Sequence, residues 1–233
     1  MGVVLEVWVA HERDVPGAVD GGADRLHLTA PGERSPEITT VSAVCRDTDL
    51  PVFVLLRLSD SWTTTGGELS RLVGLAEDYL AVGASGVSFG FLDADLEIDT
   101  EVCSQLAQRL PNVPWTFHRA VDDTLEPRRA WRSLLALAER TSLVNVRSAG
   151  SPRGMGDGYD DLLATSESDP AVARLLMPGA GLRAEHVPWL VRTGVRAFHL
   201  GPQLRPGGSS KAYVDAALTR SWRLLLDDAM ERI

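Results

Sequence analysis

The chain of 233 residues carries a net charge of −9 at pH 7, which argues against nucleic acid as a partner because phosphate binding needs a basic surface. Its apolar runs are shorter than the roughly 20 residues that span a bilayer, and its N-terminus lacks a secretory signal, so neither a membrane protein nor a secreted one is predicted. Only two cysteines occur, Cys45 and Cys103, without metal-type spacing, and we expect a reduced, cytoplasmic protein.

Apolar runs rich in strand formers alternate with helical patterns along the chain. In chain order, strands are predicted over 3–9, 24–28, 51–56, 86–90, 114–117, 143–146, 173–177 and 197–200. Helical patterns are predicted over 15–21, 38–45, 68–82, 99–109, 127–139 and 184–192, with a weaker segment after the glycine-rich loop 150–158 and a C-terminal helix from near residue 210. Asp99 is the predicted N-cap of the fourth of these helices.

The order of these elements predicts the fold class. About eight strands, each followed by a helix or helical turn, in roughly 200 residues are typical of the (β/α)₈ TIM barrel. No linker interrupts the alternation, so we predict an α/β protein with a single TIM-barrel domain over 1–233 and a C-terminal helix. A doubly wound open sheet is the alternative, and the absence of Gly-x-Gly-x-x-Gly after the first strand disfavours it.

Charged and polar residues collect at the predicted strand ends, where a TIM barrel holds its site. They are Glu6, Arg25, Arg57, His118, Arg119, Asp122, Arg147 and His199. Arginines that converge in an acidic protein predict an anionic ligand, since close cations are costly without counter-charge. The turn that contains Gly179 and Gly181, after the seventh strand, is predicted to offer bare backbone N–H groups to a phosphate of that ligand.

The densest group of such residues is 116–122, where His118, Arg119 and Asp122 follow an apolar strand. We predict Glu6, His118 and Asp122 as catalytic residues, with Glu6 and His118 as an acid–base pair, because a carboxylate in an apolar strand is costly unless it is paired or faces a polar centre. The predicted ligand-binding residues are Arg25, Arg57, Arg119, Arg147, Gly179, Gly181 and His199. In the alternative interpretation, Arg119 and Asp122 only tie down their loop.

Metal ligands stay unassigned at this point. Alternation places Arg25 and His27 on one face of the second strand. His27, His118 and His199 could meet across the barrel mouth, but they stand on separate strands and no ligand spacing connects them. Three tryptophans outside the strands, Trp62, Trp189 and Trp222, make a homodimer possible, although they could equally fill the helix layer.

At these residues the chain resembles the CutC copper-homeostasis family over nearly its whole length. Thr116-Phe117-His118-Arg119-Ala120 is the most specific part of the resemblance. The other matching stretches are Leu5-Glu6, Gly22-Ala23-Asp24-Arg25, Arg57, Phe89-Gly90-Phe91-Leu92-Asp93, Val121-Asp122, Gly179-Ala180-Gly181 and His199. The resemblance implies a cytoplasmic (β/α)₈ barrel that binds or handles copper.

The chain also departs from the family pattern. Val7-Trp8 stands where many members have a cysteine, His27 replaces an acid, and Arg57-Leu58-Ser59-Asp60 replaces Arg-Pro-Arg-Gly-Gly. In the last strand Ala197 replaces an acid, and Leu200-Gly201 replaces Ser-Ser. The acid, arginines and histidine of a small-molecule pocket are therefore retained, whereas the thiols that suit Cu(I) are missing.

Two functions remain open on the sequence. The resemblance implies a copper-homeostasis protein, with copper as the implied ligand. The residues themselves favour a TIM-barrel enzyme that acts on a small anionic carboxylate or phosphate through a Glu/His/Arg pocket at the C-terminal ends of the strands. A barrel that has lost its chemistry is a third interpretation.

Overall fold

A computed structural model describes residues 2–233 and contains an eight-stranded parallel sheet. Its strands are β1 (Val4–Val9), β2 (Arg25–Leu28), β3 (Val52–Leu55), β4 (Gly86–Phe89), β5 (Trp115–Phe117), β6 (Leu143–Ser148), β7 (Leu176–Pro178) and β8 (Ala197–Leu200). The hydrogen-bonded order is β7-β6-β5-β4-β3-β2-β1-β8, and β7 also contacts β8. The sheet therefore curls into a nearly closed barrel, and the predicted TIM barrel is confirmed.

Helices connect the strands on the outside of the barrel. They are α1 (Val15–Gly21), α2 (Ile38–Arg46), α3 (Gly66–Ala81), α4 (Thr100–Arg109), α5 (Pro127–Ala138), α6 (Met155–Ser168), α7 (Pro170–Leu175), α8 (Val187–Thr193) and α9 (Ala216–Glu231). The predicted C-terminal helix is α9. Among residues 2–233, none of the helices has the length and apolarity needed to cross a membrane.

Several predicted boundaries differ from the structure. Ala173–Leu175 were assigned to the seventh strand but form the end of α7, because Asp169 caps this helix and Pro170 fixes its first turn. The helix α6 begins at Met155, inside the predicted glycine-rich loop. The helix α9 begins later than predicted, at the residue after its N-cap Asp215.

The main hydrophobic core lies between the barrel and the helices. Outward-facing strand residues such as Leu5, Val7, Leu26 and Val87 have no exposed surface and belong to one continuous cluster. Burying one such side chain fully contributes roughly 1.5–3 kcal/mol, so this layer supplies most of the hydrophobic stabilisation. The predicted cap of α4 is also confirmed, because Asp99 accepts a hydrogen bond from the backbone of the first turn at 3.0 Å.

The residues between these outward-facing ones point into the barrel. Glu6 on β1 is in register with Arg25 on β2 and with His199 on β8. Residues paired laterally in a parallel sheet point to the same side, so these three side chains meet inside. Because all eight strands are parallel, their C-terminal ends form one rim, which we call the mouth.

Candidate functional site

The mouth contains a cavity of about 710 Å³, a size that suits a small organic ligand. Four predicted site residues line this mouth cavity, namely Arg119, Arg147, Gly181 and His199. The remaining predicted residues lie beneath or beside it, and they are Glu6, Arg25, Arg57, His118, Asp122 and Gly179. The cavity therefore lies at the end of the barrel where the sequence predicted a site, and the roles of these residues stay predictions.

Glu6 is the centre of the polar network under the cavity. Its side chain is 1% exposed, and its two oxygens have different partners. Oε2 accepts a hydrogen bond from Arg25 Nε at 2.6 Å, and Oε1 lies 2.8 Å from His199 Nδ1. Burial alone would raise the pKa of Glu6, but the Arg25 guanidinium and the His199 hydrogen bond outweigh it and hold this pKa well below its usual range. Glu6 is therefore ionised at neutral pH.

Arg25 is held on all sides inside the barrel. Its Nη2 donates to Asn145 Oδ1 at 3.0 Å and to Met177 Sδ at 3.3 Å. Its guanidinium also lies 4.4 Å from the centre of the Phe53 ring, a cation–π contact. Together with Glu6, Arg25 forms a neutral, fully packed pair rather than a free cation.

Arg147 has no such counter-charge. It is 5% exposed, lines the mouth cavity, and forms no ion pair in the described part of the chain. Its Nη1 lies 2.9 Å from His27 Nδ1 and 3.4 Å from His199 Nε2, and its Nε is buried without a partner. Burial lowers the pKa of Arg147, but a guanidinium starts so high that it stays charged. Arg147 therefore lacks a direct ion pair, and the carboxylates of Glu33, Glu6 and Asp122 act on its charge only from beyond ion-pair distance.

The arginine fixes the tautomers of both histidines, since a guanidinium can only donate. His27 must accept at Nδ1, so its Nε2–H faces Ser88 Oγ at 2.7 Å. His199 accepts at Nε2 and donates from Nδ1 to Glu6. Burial, followed by the charge of Arg147, lowers the pKa of both imidazoles, so both are neutral at pH 7.

Asp122 forms a clamp between the loop after β5 and the end of β6. Its carboxylate accepts hydrogen bonds from Ser148 Oγ at 2.6 Å and from the backbone N–H groups of Ala149 and Gly150 at 3.0–3.2 Å. Arg119 Nε donates to it at 3.0 Å. These contacts agree with the interpretation in which Arg119 and Asp122 tie down the loop, and a catalytic role of Asp122 stays a prediction.

His118 lies apart from Glu6. It is 3% exposed, its Nδ1 accepts from Ala120 N at 3.1 Å, and its ring centre lies 4.9 Å from that of Trp62. Burial and then Arg147 lower the pKa of this imidazole. The partner of Glu6 in the structure is His199, and the acid–base pair of Glu6 with His118 stays a prediction.

Arg57 and the glycine turn occupy opposite sides of the mouth. Arg57 stacks 4.1 Å from the Trp62 ring and donates to the carbonyl of Asp60 at 2.8 Å, so its charge faces a loop. Gly179 lies against the site, because a Cβ there would approach two carbon atoms of His199 to 3.2 Å. Gly181 lines the cavity and has φ +93°, a conformation that favours glycine.

Several residues of the site were not singled out from the sequence. Trp8 and Thr29 line the cavity, and Trp8 Nε1 donates to Thr29 Oγ1 at 2.8 Å. Trp8 lies two residues after Glu6 and Asn145 two residues before Arg147, so strand alternation was the available signal. Gln203 gave no such signal, because it reaches the site from the loop after β8 and bonds across to the carbonyl of Leu182 at 3.0 Å.

Glu6, His27 and His199 each offer one possible metal ligand, and these atoms lie within 4.8 Å of one another. In the arrangement observed they do not fit a copper ion. Both oxygens of Glu6 and all four imidazole nitrogens are already engaged, and the Arg147 guanidinium lies between the two imidazoles. The described cysteines stand elsewhere, on α2 and α4.

Comparisons with known proteins agree with this fold. The model of the CutC family matches residues 3–203. A copper homeostasis protein cutC homolog of Homo sapiens is 29% identical over 215 residues, covering 85% of this chain and 72% of that protein. A family protein CutC of Klebsiella pneumoniae is 27% identical over 182 residues, covering 76% of this chain and 71% of that protein.

Solved structures show the same architecture. The putative copper homeostasis protein CutC of Streptococcus agalactiae superposes with a TM-score of 0.73 at 19% identity, covering 85% of this chain and 98% of that one. The thiamine phosphate pyrophosphorylase of Pyrococcus furiosus gives 0.61 at 17% identity, covering 98% and 97%. At these identities the likeness concerns the fold alone.

Proposed function

The chain belongs to the CutC family, and from this premise we propose that it works by binding a small anionic molecule in the mouth cavity, through a carboxylate or phosphate group. The observation that carries this proposal is Arg147, a buried guanidinium without a carboxylate partner on the floor of the cavity. Desolvating an ion costs several kcal/mol unless an opposite charge compensates it. A bound anion would supply that charge.

The surroundings of Arg147 support an anion over a cation. Glu6 is neutralised by Arg25, and Arg119 and Arg183 also line the cavity. Glu33 is the acid among the lining residues; its half-exposed carboxylate lies near Arg57 and also acts on the charge of Arg147. The turn that contains Gly181 borders the same space and is the proposed seat of a phosphate group. The proposed ligand-binding residues are therefore Arg147, Arg119, Gly179, Gly181 and His199.

The test is a thermal-shift titration with inorganic phosphate and with acetate. A ligand at a hundredfold excess over its Kd stabilises the folded state by about 2.7 kcal/mol. We expect a rise in Tm for the native chain with at least one of the two anions, and its loss in Arg147→Gln. Arg128→Gln, an exposed arginine on α5, is the matched control and should respond as the native chain does. Equal responses in Arg147→Gln would contradict the proposal.

A second candidate function is the handling of copper itself. It is favoured by the names of the relatives and by the three possible ligands Glu6, His27 and His199. It requires Arg147 to leave its place between the imidazoles. Titration with Cu(I) against a competing chelator separates the two candidates. If the anion proposal holds, the protein should not remove Cu(I) from the chelator.

The thiols give copper little support in this fold. Cys103 is fully buried in the helix layer, and burial raises its pKa to about 12. Cys45 is half-buried, and burial raises its pKa as well. Both thiols are free, as is usual in a reducing compartment, and this supports our proposal of a cytoplasmic location. Imaging the tagged full chain in its host cell tests this proposed location.

A further inference from the structure

The position of Arg147 between two histidines has a consequence for ligand choice. Nη1 approaches His27 Nδ1 to 2.9 Å and His199 Nε2 to 3.4 Å. Both nitrogens present a lone pair, because each ring donates its proton elsewhere. His27 donates to Ser88 and His199 to Glu6. Two imidazole lone pairs thus converge on one point, and a nitrogen of the guanidinium occupies it.

This arrangement has the features of a metal site whose place is filled by an organic cation. A histidine that binds a metal usually donates its other N–H to a carboxylate, a carbonyl or another oxygen, as His199 does to Glu6 here. Imidazole suits Zn²⁺ and Cu²⁺, with a metal–nitrogen distance of about 2.0–2.1 Å. The two facing nitrogens already lie 2.9 and 3.4 Å from the same guanidinium nitrogen, so a small adjustment would bring both within bonding distance of a metal ion in its place.

We propose that Arg147 determines the ligand class of this pocket. Its guanidinium takes the place of a metal ion between His27 and His199, so the native chain accepts an anion and excludes Zn²⁺ and Cu²⁺, and loss of the guanidinium turns the same residues into a metal site. The exclusion has two causes, the occupied space and the repulsion between two cations in a buried environment. The anion half of this inference rests on the proposed function, whereas the metal half does not.

The experiment measures Zn²⁺ and Cu²⁺ affinity by competition with a chromophoric chelator at pH 7. We expect no competition by the native chain or by Arg147→Lys, which keeps a cation. Arg147→Ala should gain at least a hundredfold in affinity, about 2.7 kcal/mol. The double variant Arg147→Ala/His199→Gln should lose this gain. Arg128→Ala is the matched surface control and should behave as the native chain.

Circular dichroism and thermal melting first establish that each variant folds. Where Arg147→Ala does not fold, Arg147→Gln replaces it, because the shorter glutamine ends before the two imidazoles and keeps more packing. Metal binding by the native chain that is lost in His199→Gln would overturn the inference. So would a folded Arg147→Ala or Arg147→Gln variant without the gain, or a double variant that keeps it. The response of the native chain to phosphate is measured in a separate experiment. Failure to bind an anion can therefore be told apart from failure of the metal inference.

Discussion

Replacing Glu6 by glutamine tests the polar network under the cavity. The substitution keeps the shape of the side chain and removes the charge that Oε2 presents to Arg25 at 2.6 Å. Arg25, which is 9% exposed, then becomes an uncompensated buried cation. Breaking a buried pair in this way costs about 3–5 kcal/mol, or roughly 6–20 °C in Tm for a domain of this size. Urea unfolding followed by circular dichroism measures the loss.

The same substitution has a predictable pH dependence. The pKa of Glu6 is lowered in the folded state, so its contribution is fully present above the unfolded pKa of about 4.3 and is lost as the pH falls through the folded value. The difference between the native chain and Glu6→Gln should therefore be constant from pH 8 to pH 5 and shrink below about pH 4.3.

A double variant serves as the control for this prediction. In Glu6→Gln/Arg25→Met the uncompensated charge is gone, and replacing both partners of a buried pair is often close to neutral. We expect the double variant to recover at least half of the stability lost in Glu6→Gln. A loss below about 1 kcal/mol in the single variant, or a double variant less stable than the single one, would refute the reasoning.

Three further predictions concern the mouth and one concerns the surface. His118→Asn should leave Tm nearly unchanged, because asparagine can also cap the following turn. It should nevertheless weaken phosphate binding by more than roughly tenfold. A fall of several kcal/mol in the free energy of unfolding would instead make His118 a structural residue. Asp122→Asn should lower the free energy of urea unfolding by about 1–3 kcal/mol, since an amide N–H₂ would face backbone donors. Gly179→Ala should reduce phosphate-induced stabilisation, because its Cβ would press on His199, and unchanged binding would contradict this. Trp189, 52% exposed, would be a contact in the homodimer that the sequence left possible, and a dimer found by light scattering should become a monomer in Trp189→Ser.

Much of the fold could be predicted because each strand carries its own signal. Strand β8 was predicted with its observed limits, and Asp99 was identified as a cap, since both depend on local sequence. The apolar run 173–177 was misassigned because periodicity alone does not separate a short strand from a buried helix. The helix signal Asp169-Pro170, three residues earlier, decides the matter in favour of α7.

The candidate site was predicted less well because it depends on register across the closed barrel. Alternation correctly placed Arg25 and His27 on one face, and both side chains enter the interior network. The pairing of Glu6 with His199 follows from the closure of β8 against β1, which joins residues 193 positions apart. No local pattern contains this information, and His118, from the densest group of polar residues, was expected as the partner instead.

The Asp122 clamp joins two loops that are often regarded as separate modules of a TIM barrel. A carboxylate from the loop after β5 holds the backbone amides of Ala149 and Gly150 after β6, so those amides should exchange slowly with deuterated solvent although they lie outside regular structure. An insertion or graft in either loop would break both ends of the clamp. The loops after β5 and β6 therefore depend on each other, and we expect them to be exchanged together in loop grafting and to change together in evolution.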